Sequence, residues 1–342
     1  MNRYQDDIRT IEKVKQIVNE RFPDFASRYF NYNMYLKAPR SLYGYALDLT
    51  SFFEFLESIG YKADSMNIGD LKGITPQIIE DFLEYSRTYY KNGEKKERSL
   101  SALARRYSTL SAFFSYYYFH DIIDRNPVSK VAPPRPSRNT TYVPSNEINF
   151  DMIDHVMNGH LGGRMDEYRV HTQKRDIAII LLIMGAGLKG SEVVNLNIED
   201  VDIDDNSIIV RSRKSSRTVF VSDTISRSVG QYLEERLDII AEAGDDNALF
   251  LSLQCKRMCL RAVQKMIRKY SSTLFEGKDH LTAESLHLSF RNNFFDKTMN
   301  VKHTAKATGT DEYYVLRRYR GAVEHHESVK GTEFECNSLI RP

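Results

Sequence analysis

The sequence of 342 residues contains few cysteines and no long apolar run, and each absence excludes a class of protein. Three cysteines in a chain of this length exclude a disulfide-stapled fold. No apolar run approaches the roughly 20 residues that span a bilayer, so we expect no membrane partner. A polar start predicts that no signal peptide is present, from Asn2, Arg3, Gln5, Asp6 and Asp7. Together these features predict a cytoplasmic protein.

The cysteines also give little support to a metal site. Cys255 and Cys259 lie four residues apart on a predicted helix, but no histidine or further cysteine lies close to them in the sequence. A zinc site needs three or four such ligands. We therefore interpret the two cysteines as buried, reduced thiols and expect no metal.

What is present is an ordinary globular composition with an uneven distribution of charge. Hydrophobic residues make up 41% and charged residues 27%, and the net charge is +2. Basic residues outnumber acidic ones in one stretch, from Arg87 to Arg138. Such a local excess favours a surface that follows a nucleic-acid backbone, and a solvated helical face is the alternative.

The apolar pattern and the prolines divide the chain into five segments. Residues 1–24 form a helical arm, and residues 25–130 form a domain with four helical patterns. Residues 131–146 are rich in proline and arginine, which predicts a semi-rigid linker. Residues 147–319 form a second domain that mixes helices with short β-branched strands, and residues 320–342 form a C-terminal tail. We find no internal repeat and no low-complexity tract.

Two motifs in the second domain resemble those of a known family. An apolar helix is followed by a glycine break and Ser191-Glu192, and the segment 309–319 ends in Tyr319. In this order and spacing the motifs resemble the tyrosine recombinase (phage integrase, Xer-like) family. The resemblance implies a mostly α fold with a small antiparallel sheet. An N-terminal four-helix, SAM-like core-binding domain would precede an α/β tyrosine-recombinase catalytic domain.

The chemistry of that family explains which residues to look for. A tyrosine hydroxyl attacks a DNA phosphodiester and forms a 3′-phosphotyrosine, which preserves the phosphodiester energy. The resemblance therefore implies no cofactor and no metal. Two arginines assisted by histidines hold the charge on the phosphoryl oxygens, and a hairpin lysine protonates the leaving oxygen. Tyr319 occupies the position of the nucleophile.

Most of the remaining catalytic positions hold other residues. Lys189 replaces the first arginine. In the next motif, Glu284 replaces the histidine and His287 replaces the second arginine. Thr310 replaces the later histidine. Tyr319 follows Glu284 by 35 residues, the separation usual in the family, which supports this alignment. The hairpin lysine falls within residues 211–214, where Lys214 is the natural candidate and Ser212 and Arg213 are alternatives.

One arginine offers a replacement for the lost clamp. Arg291 lies one helical turn after His287 and on the same face, so the pair could hold a phosphate together. An arginine that lies on the surface or contacts the DNA backbone is the alternative. Basic residues of the first domain and the linker are predicted to contact DNA phosphates. They are Lys95, Lys96, Arg105, Arg106, Arg135 and Arg138.

The resemblance and the substitutions lead to two main hypotheses. The first is a protein that binds double-stranded DNA, is impaired in cleavage, and serves as accessory or regulatory partner of an active recombinase, for instance one on the same mobile element. The second is an active recombinase that cuts DNA through Tyr319. A repressor of its own promoter would share the predicted DNA binding. The family implies that the tail docks on a neighbouring subunit, in a partner recombinase or a homotetramer on DNA, and a disordered tail is the alternative.

Overall fold

The computed structural model describes residues 3–62, 65–136, 142–159, 166, 169, 171–212, 215–237, 247–275, 281–320 and 322–323. The chain divides into two compact units, Asn2–Thr140 and Thr141–Pro342 together with Met1. Both are mostly helical, and each contains a small antiparallel sheet. No helix in the described ranges is long and apolar enough to cross a membrane.

The first unit is built from six helices in the described part of the chain. They are α1 (Arg3–Arg21), α2 (Asp24–Asn33), α3 (Pro39–Ser58), α4 (Ile68–Gly73), α5 (Pro76–Tyr85) and α6 (Leu100–Phe119). Helix starts follow from local chemistry, since the Thr75 hydroxyl accepts a hydrogen bond from the Ile78 amide and Pro76 occupies the first helical position. The Ser99 hydroxyl begins α6 in the same way.

The core of the first unit is strongly aromatic. Phe52, Phe113 and Phe114 are completely shielded from solvent, and their rings meet mostly edge to face. Val14 and Val18 of α1 join the same core, so the N-terminal helix packs as part of this unit. Phe113 and Phe114 of α6 therefore face the core.

A hairpin that the sequence analysis did not anticipate lies between α5 and α6. Strand β1 (Thr88–Lys91) pairs antiparallel with β2 (Glu94–Glu97) across the turn Asn92-Gly93. Both turn residues have positive φ, 53° and 81°, the geometry for which Asn-Gly is favoured. The Asn-Gly dipeptide favours a hairpin turn. The strands were not predicted because the lysines and glutamates around it have low strand propensity.

The second unit combines helices with a three-stranded sheet. Its helices are α7 (Asn146–Asn158), α8 (Gln173–Met184), α9 (Gly190–Val193), α10 (Asp223–Leu237), α11 (Leu260–Leu274), α12 (Ala283–Thr298), α13 (Val301–Thr308) and α14 (312–320). Its strands are β3 (Val201–Asp202), β4 (Ser207–Arg211) and β5 (Ser216–Phe220), antiparallel and in chain order. Fully buried Ile179, Ile180 and Leu182 place α8 at the centre of the core.

The predicted placement of the two cysteines is wrong. Cys255 is half-buried in a turn with φ of 54°, and Cys259 is exposed at the N-cap of α11. The helix begins only at Leu260, so the two residues do not share a helical face. Within the described ranges, no three His, Cys, Asp or Glu side chains come together as a group that could hold a metal ion.

Candidate functional site

The motif residues of the second unit converge where α9, β5, α12 and the end of α13 meet. Lys189 is the N-cap of α9, and its backbone N–H donates to Glu192 Oε2 at 2.8 Å. Its ammonium group donates to the carbonyl oxygen of Gly309, at the end of α13. The lysine at the first arginine position is thus hydrogen-bonded to the backbone that leads to the tyrosine helix.

An ion pair lies beside this lysine. Arg217 of β5 donates from Nη1 to Glu192 Oε1 at 2.7 Å and from Nη2 to Oε2 at 2.9 Å. Burial acts to raise the pKa of Glu192, but the hydrogen bonds from Arg217 and the Lys189 amide, together with the charges of both residues, lower it below its ordinary value. The carboxylate therefore stays charged and neutralises a guanidinium that stands in the site.

Two glycines allow these groups to approach. Gly309 has φ of +55°, and a Cβ there would lie 2.4 Å from Nη1 of Arg217 and 2.9 Å from Oε1 of Glu192. Gly187 has φ of +70°, and a Cβ would lie 2.3 Å from the ring of Phe290. Any larger residue at either position would combine backbone strain with a collision, so the glycine breaks of both motifs are structural requirements of the site.

His287 and Arg291 lie on the buried face of α12, with exposed fractions of 1% and 3%. Neither ring nitrogen of His287, nor Nε and Nη2 of Arg291, has a hydrogen-bond partner among the described residues. Burial, followed by the charges of Arg291 and Lys189, lowers the pKa of His287 to about 4. The imidazole is therefore neutral at pH 7 and does not replace the charge of an arginine.

These unpartnered donors show what the site can do chemically. A buried donor without an acceptor costs about 1–3 kcal/mol, so native proteins rarely keep one without a use. The guanidinium of Arg291 also lies 5.1 Å from the ring centroid of Tyr314, which holds it by a cation–π contact. A buried cation with free donors is suited to an oxyanion such as phosphate.

Tyr319 lies against the neighbouring face of α12. Its hydroxyl donates to Asn292 Oδ1, and its ring stacks on Phe295 with centroids 4.1 Å apart and planes 12° apart. The side chain is half-buried. The hydroxyl at the nucleophile position is thus hydrogen-bonded to an amide, whereas Tyr314 is the tyrosine that contacts Arg291.

The other predicted positions of the second unit contribute less. Glu284 is exposed in the first turn of α12. Thr310 accepts a hydrogen bond from the Thr308 hydroxyl at 3.0 Å, and its amide donates to the carbonyl of Ala305. Lys214 lies outside the described residues, as does Arg213. Ser212 hydrogen-bonds across the hairpin end to Ser215.

The basic residues predicted to contact DNA divide into exposed and engaged ones. Lys95 and Lys96 are exposed on β2, where the Lys96 ammonium group also pairs with Glu94 Oε2 at 3.4 Å. Arg135 is exposed, and Arg138 lies outside the described residues. Arg105 is half-exposed but donates to Asp48 Oδ2 at 2.6 Å.

Arg106 is 8% exposed and donates to Ser86 Oγ at 2.7 Å and Ser51 Oγ at 3.1 Å. It therefore faces the interior and not the predicted surface, because the buried carboxylate of Asp48 and the hydroxyl of Ser86 draw its donors inward.

Sequence reasoning missed three residues that shape the site. The first is Arg217, which lies on the same face of β5 as the buried Val219. An arginine on the buried face of an alternating strand was the available signal. Asn292 and Tyr314 gave no such signal, because their roles depend on how α12 and α14 pack together.

The comparisons with known proteins agree with this architecture. Residues 164–325 match the Phage integrase family. Tyrosine recombinase XerC of Caldanaerobacter subterraneus subsp. tengcongensis is 28% identical over 277 residues, covering 78% of this chain and 74% of the relative. The family match and this relative together support membership of the tyrosine recombinase family. The chain's resemblance to this family and its predicted fold class are confirmed.

Two solved structures show the same fold as this chain. The XerH site-specific recombinase bound to palindromic difH substrate, in a post-cleavage complex, has a TM-score of 0.64 at 16% identity, covering 86% of this chain and 80% of that one. The Tn1549 transposon integrase in complex with transposon right end DNA has the same TM-score and identity, covering 89% and 97%.

Proposed function

We propose that this member of the tyrosine recombinase family binds DNA, is impaired in cleavage through Tyr319, and acts as accessory or regulatory partner of an active recombinase. The proposal rests on the state of the clamp. The Lys189 ammonium donates to Gly309, the fork of Arg217 is held by Glu192, and His287 is neutral at pH 7. Loss of one preorganised donor to a charged transition state lowers the rate by on the order of 10²–10³.

DNA binding is supported by features that do not require cleavage. Lys95, Lys96 and Arg135 are exposed, and exposed cations bind phosphates by releasing counterions. Arg291 supplies buried donors that suit a phosphate oxygen. XerH and the Tn1549 integrase, which share the fold, are complexes with DNA.

A phosphotyrosyl trap tests the proposal. The protein would be incubated with nicked duplexes from its native locus and resolved on native and denaturing gels, beside a Tyr319→Phe variant. We expect retarded complexes on the native gel and no covalent band on the denaturing gel. A covalent band that disappears in Tyr319→Phe would overturn the impairment, and the absence of any complex would overturn DNA binding.

One observation favours an active recombinase as the second candidate. Arg291 is buried one turn from His287, and two of its donors have no partner in the described part of the chain, as a rebuilt clamp would require. If this clamp supports cleavage, Arg291→Met should abolish the covalent band of the wild-type protein. Lys297→Met, a matched change at an exposed position of the same helix, should leave the band intact.

A further inference from the structure

The β1–β2 hairpin of the first unit has no role in the core. Only Thr88 and Tyr89, at its root, are half-buried, and the remaining strand residues are exposed on both faces. A two-stranded hairpin without a buried face is marginally stable in water. Core packing therefore does not account for this hairpin, and a binding role would.

The root of the hairpin is nevertheless held firmly to the helices. The Arg98 amide donates to the Arg87 carbonyl at 2.8 Å, and Arg98 Nε donates to the Ser86 carbonyl at 3.0 Å. The guanidinium of Arg98 also lies 4.6 Å from the ring centroid of Tyr89. Ser86 in turn accepts from the buried Arg106. These contacts fix the direction in which the ribbon projects.

Both faces of the ribbon combine lysines with tyrosines. The register pairs Tyr90 with Lys95 on one face, and Tyr89 with Lys96 on the other. The ring of Tyr90 is 74% exposed. Lys91 adds a third ammonium group next to the turn. The acidic residues of the strands are Glu94, which pairs with Lys96 at 3.4 Å on the exposed surface, and Glu97. With Arg87 and Arg98 at the root, the ribbon has an excess of positive charge.

Size favours one groove of a DNA duplex over the other. Paired strands lie about 4.8 Å apart, and their side chains widen the ribbon further. The major groove, about 12 Å wide, admits a two-stranded ribbon, whereas the minor groove is only about 6 Å wide. Four residues of strand extend about 13 Å, more than the depth of the major groove, about 8.5 Å.

We infer that the β1–β2 hairpin is a DNA-binding ribbon that enters the major groove, with Lys91, Lys95 and Lys96 on phosphates and Tyr90 toward the base edges. This inference rests on the proposed DNA binding and adds the element and the groove. It also changes the role of Arg106, which would support the ribbon through Ser86 without touching DNA.

A shortened ribbon provides the direct test. Deleting Thr88–Lys91 and Glu94–Glu97 leaves Asn92-Gly93 as a two-residue turn between Arg87 and Arg98, which are already hydrogen-bonded neighbours. Binding of the full chain to a fluorescein-labelled 30-bp duplex would be followed by anisotropy. A second duplex would contain glucosylated 5-hydroxymethylcytosine, whose sugar fills the major groove. Circular dichroism melts would verify the fold.

A milder pair of variants keeps the test independent of the deletion. Lys95→Gln with Lys96→Gln removes two charges from exposed positions of the ribbon. Lys13→Gln with Lys15→Gln makes the same change on exposed positions of α1 and serves as the matched control. We expect the ribbon pair to raise Kd about tenfold or more at 0.1 M salt and to lower the salt slope by about 2.

The outcomes separate the inference from the proposed function. We expect glucosylation to weaken wild-type binding and to have a much smaller effect on the shortened ribbon. Unchanged affinity and salt slope in both ribbon variants would overturn the inference and leave DNA binding intact. A ribbon contribution that survives glucosylation but disappears with the minor-groove ligand distamycin would overturn the groove assignment. A wild-type protein that binds neither duplex would overturn the proposed function itself.

Discussion

Arg106 in the first unit and Arg291 in the second are both buried, yet their surroundings differ. Arg106 donates to Ser86 and Ser51 and lies 3.7 Å from the carboxylate of Asp48. Arg291 keeps Nε and Nη2 unpartnered among the described residues. A buried cation whose donors are satisfied belongs to the fold, whereas one that keeps free donors is suited to an incoming anion.

The largest expected effect comes from restoring the family's catalytic arginines and histidine in the second unit. Lys189→Arg, Glu284→His and His287→Arg together should raise cleavage of nicked duplex by at least on the order of 10²–10³, because each adds a donor to the transition state. Phosphotyrosyl trapping measures the gain, and the same triple variant with Tyr319→Phe is the control. No gain would show that these positions are misaligned or that the site is disrupted.

Removing the partner of the satisfied arginine should destabilise the first unit strongly. Asp48→Ala leaves Arg106 buried and uncompensated, which typically costs about 3–5 kcal/mol. Hydrogen exchange of amides in α3 and α6 would report the free energy of unfolding of this unit. Asp81→Ala, at an exposed position of α5, should change it by less than about 0.5 kcal/mol. A loss at Asp48 below about 1 kcal/mol would contradict the proposed role of the pair.

The neutral histidine of the second site predicts a pH dependence. Because the folded pKa of His287 is about 4 and the ordinary value is 6.5, the unfolded state binds a proton first as pH falls. The free energy of unfolding should therefore fall by up to about 3 kcal/mol between pH 6.5 and pH 4 because of His287.

Urea unfolding at pH 7, 5.5 and 4.5 would measure this effect. The advantage of His287→Leu over the wild-type protein should grow as pH falls. His303→Leu, at an exposed position, is the matched control. If the free energy of unfolding of His287→Leu changes with pH as that of the wild-type protein does, His287 does not have the lowered pKa.

The smallest expected effect is the change in stability when each buried arginine is replaced by methionine, and its sign should differ between the two units. Arg291→Met should stabilise the second unit by about 1 kcal/mol, since it removes a buried charge without breaking a pair, and should weaken DNA binding. Arg106→Met should instead destabilise the first unit, since it leaves Asp48 buried without its partner. Melting curves and anisotropy titrations of both variants measure the two properties. A destabilised Arg291→Met would show that Arg291 supports the fold after all.

The sequence predicted local features well and tertiary partners poorly. The short strands predicted for the second domain are present as β3, β4 and β5, because β-branched residues favour extended backbone. The resemblance of the motifs around Ser191 and Tyr319 to the tyrosine recombinase family is confirmed by the comparisons. The ion pair of Arg217 with Glu192 was not foreseen, since nothing local links residues 25 positions apart.

The sequence by itself determined the helices, the glycine breaks and the identity of the residues at each catalytic position, because these depend on neighbours along the chain. Only the tertiary structure decided which charges are engaged. It brought Gly309 to Lys189, Asn292 to the Tyr319 hydroxyl, and Asp48 toward Arg106. Burial then determined the outcome, because desolvation makes the presence or absence of a partner decisive for each buried cation.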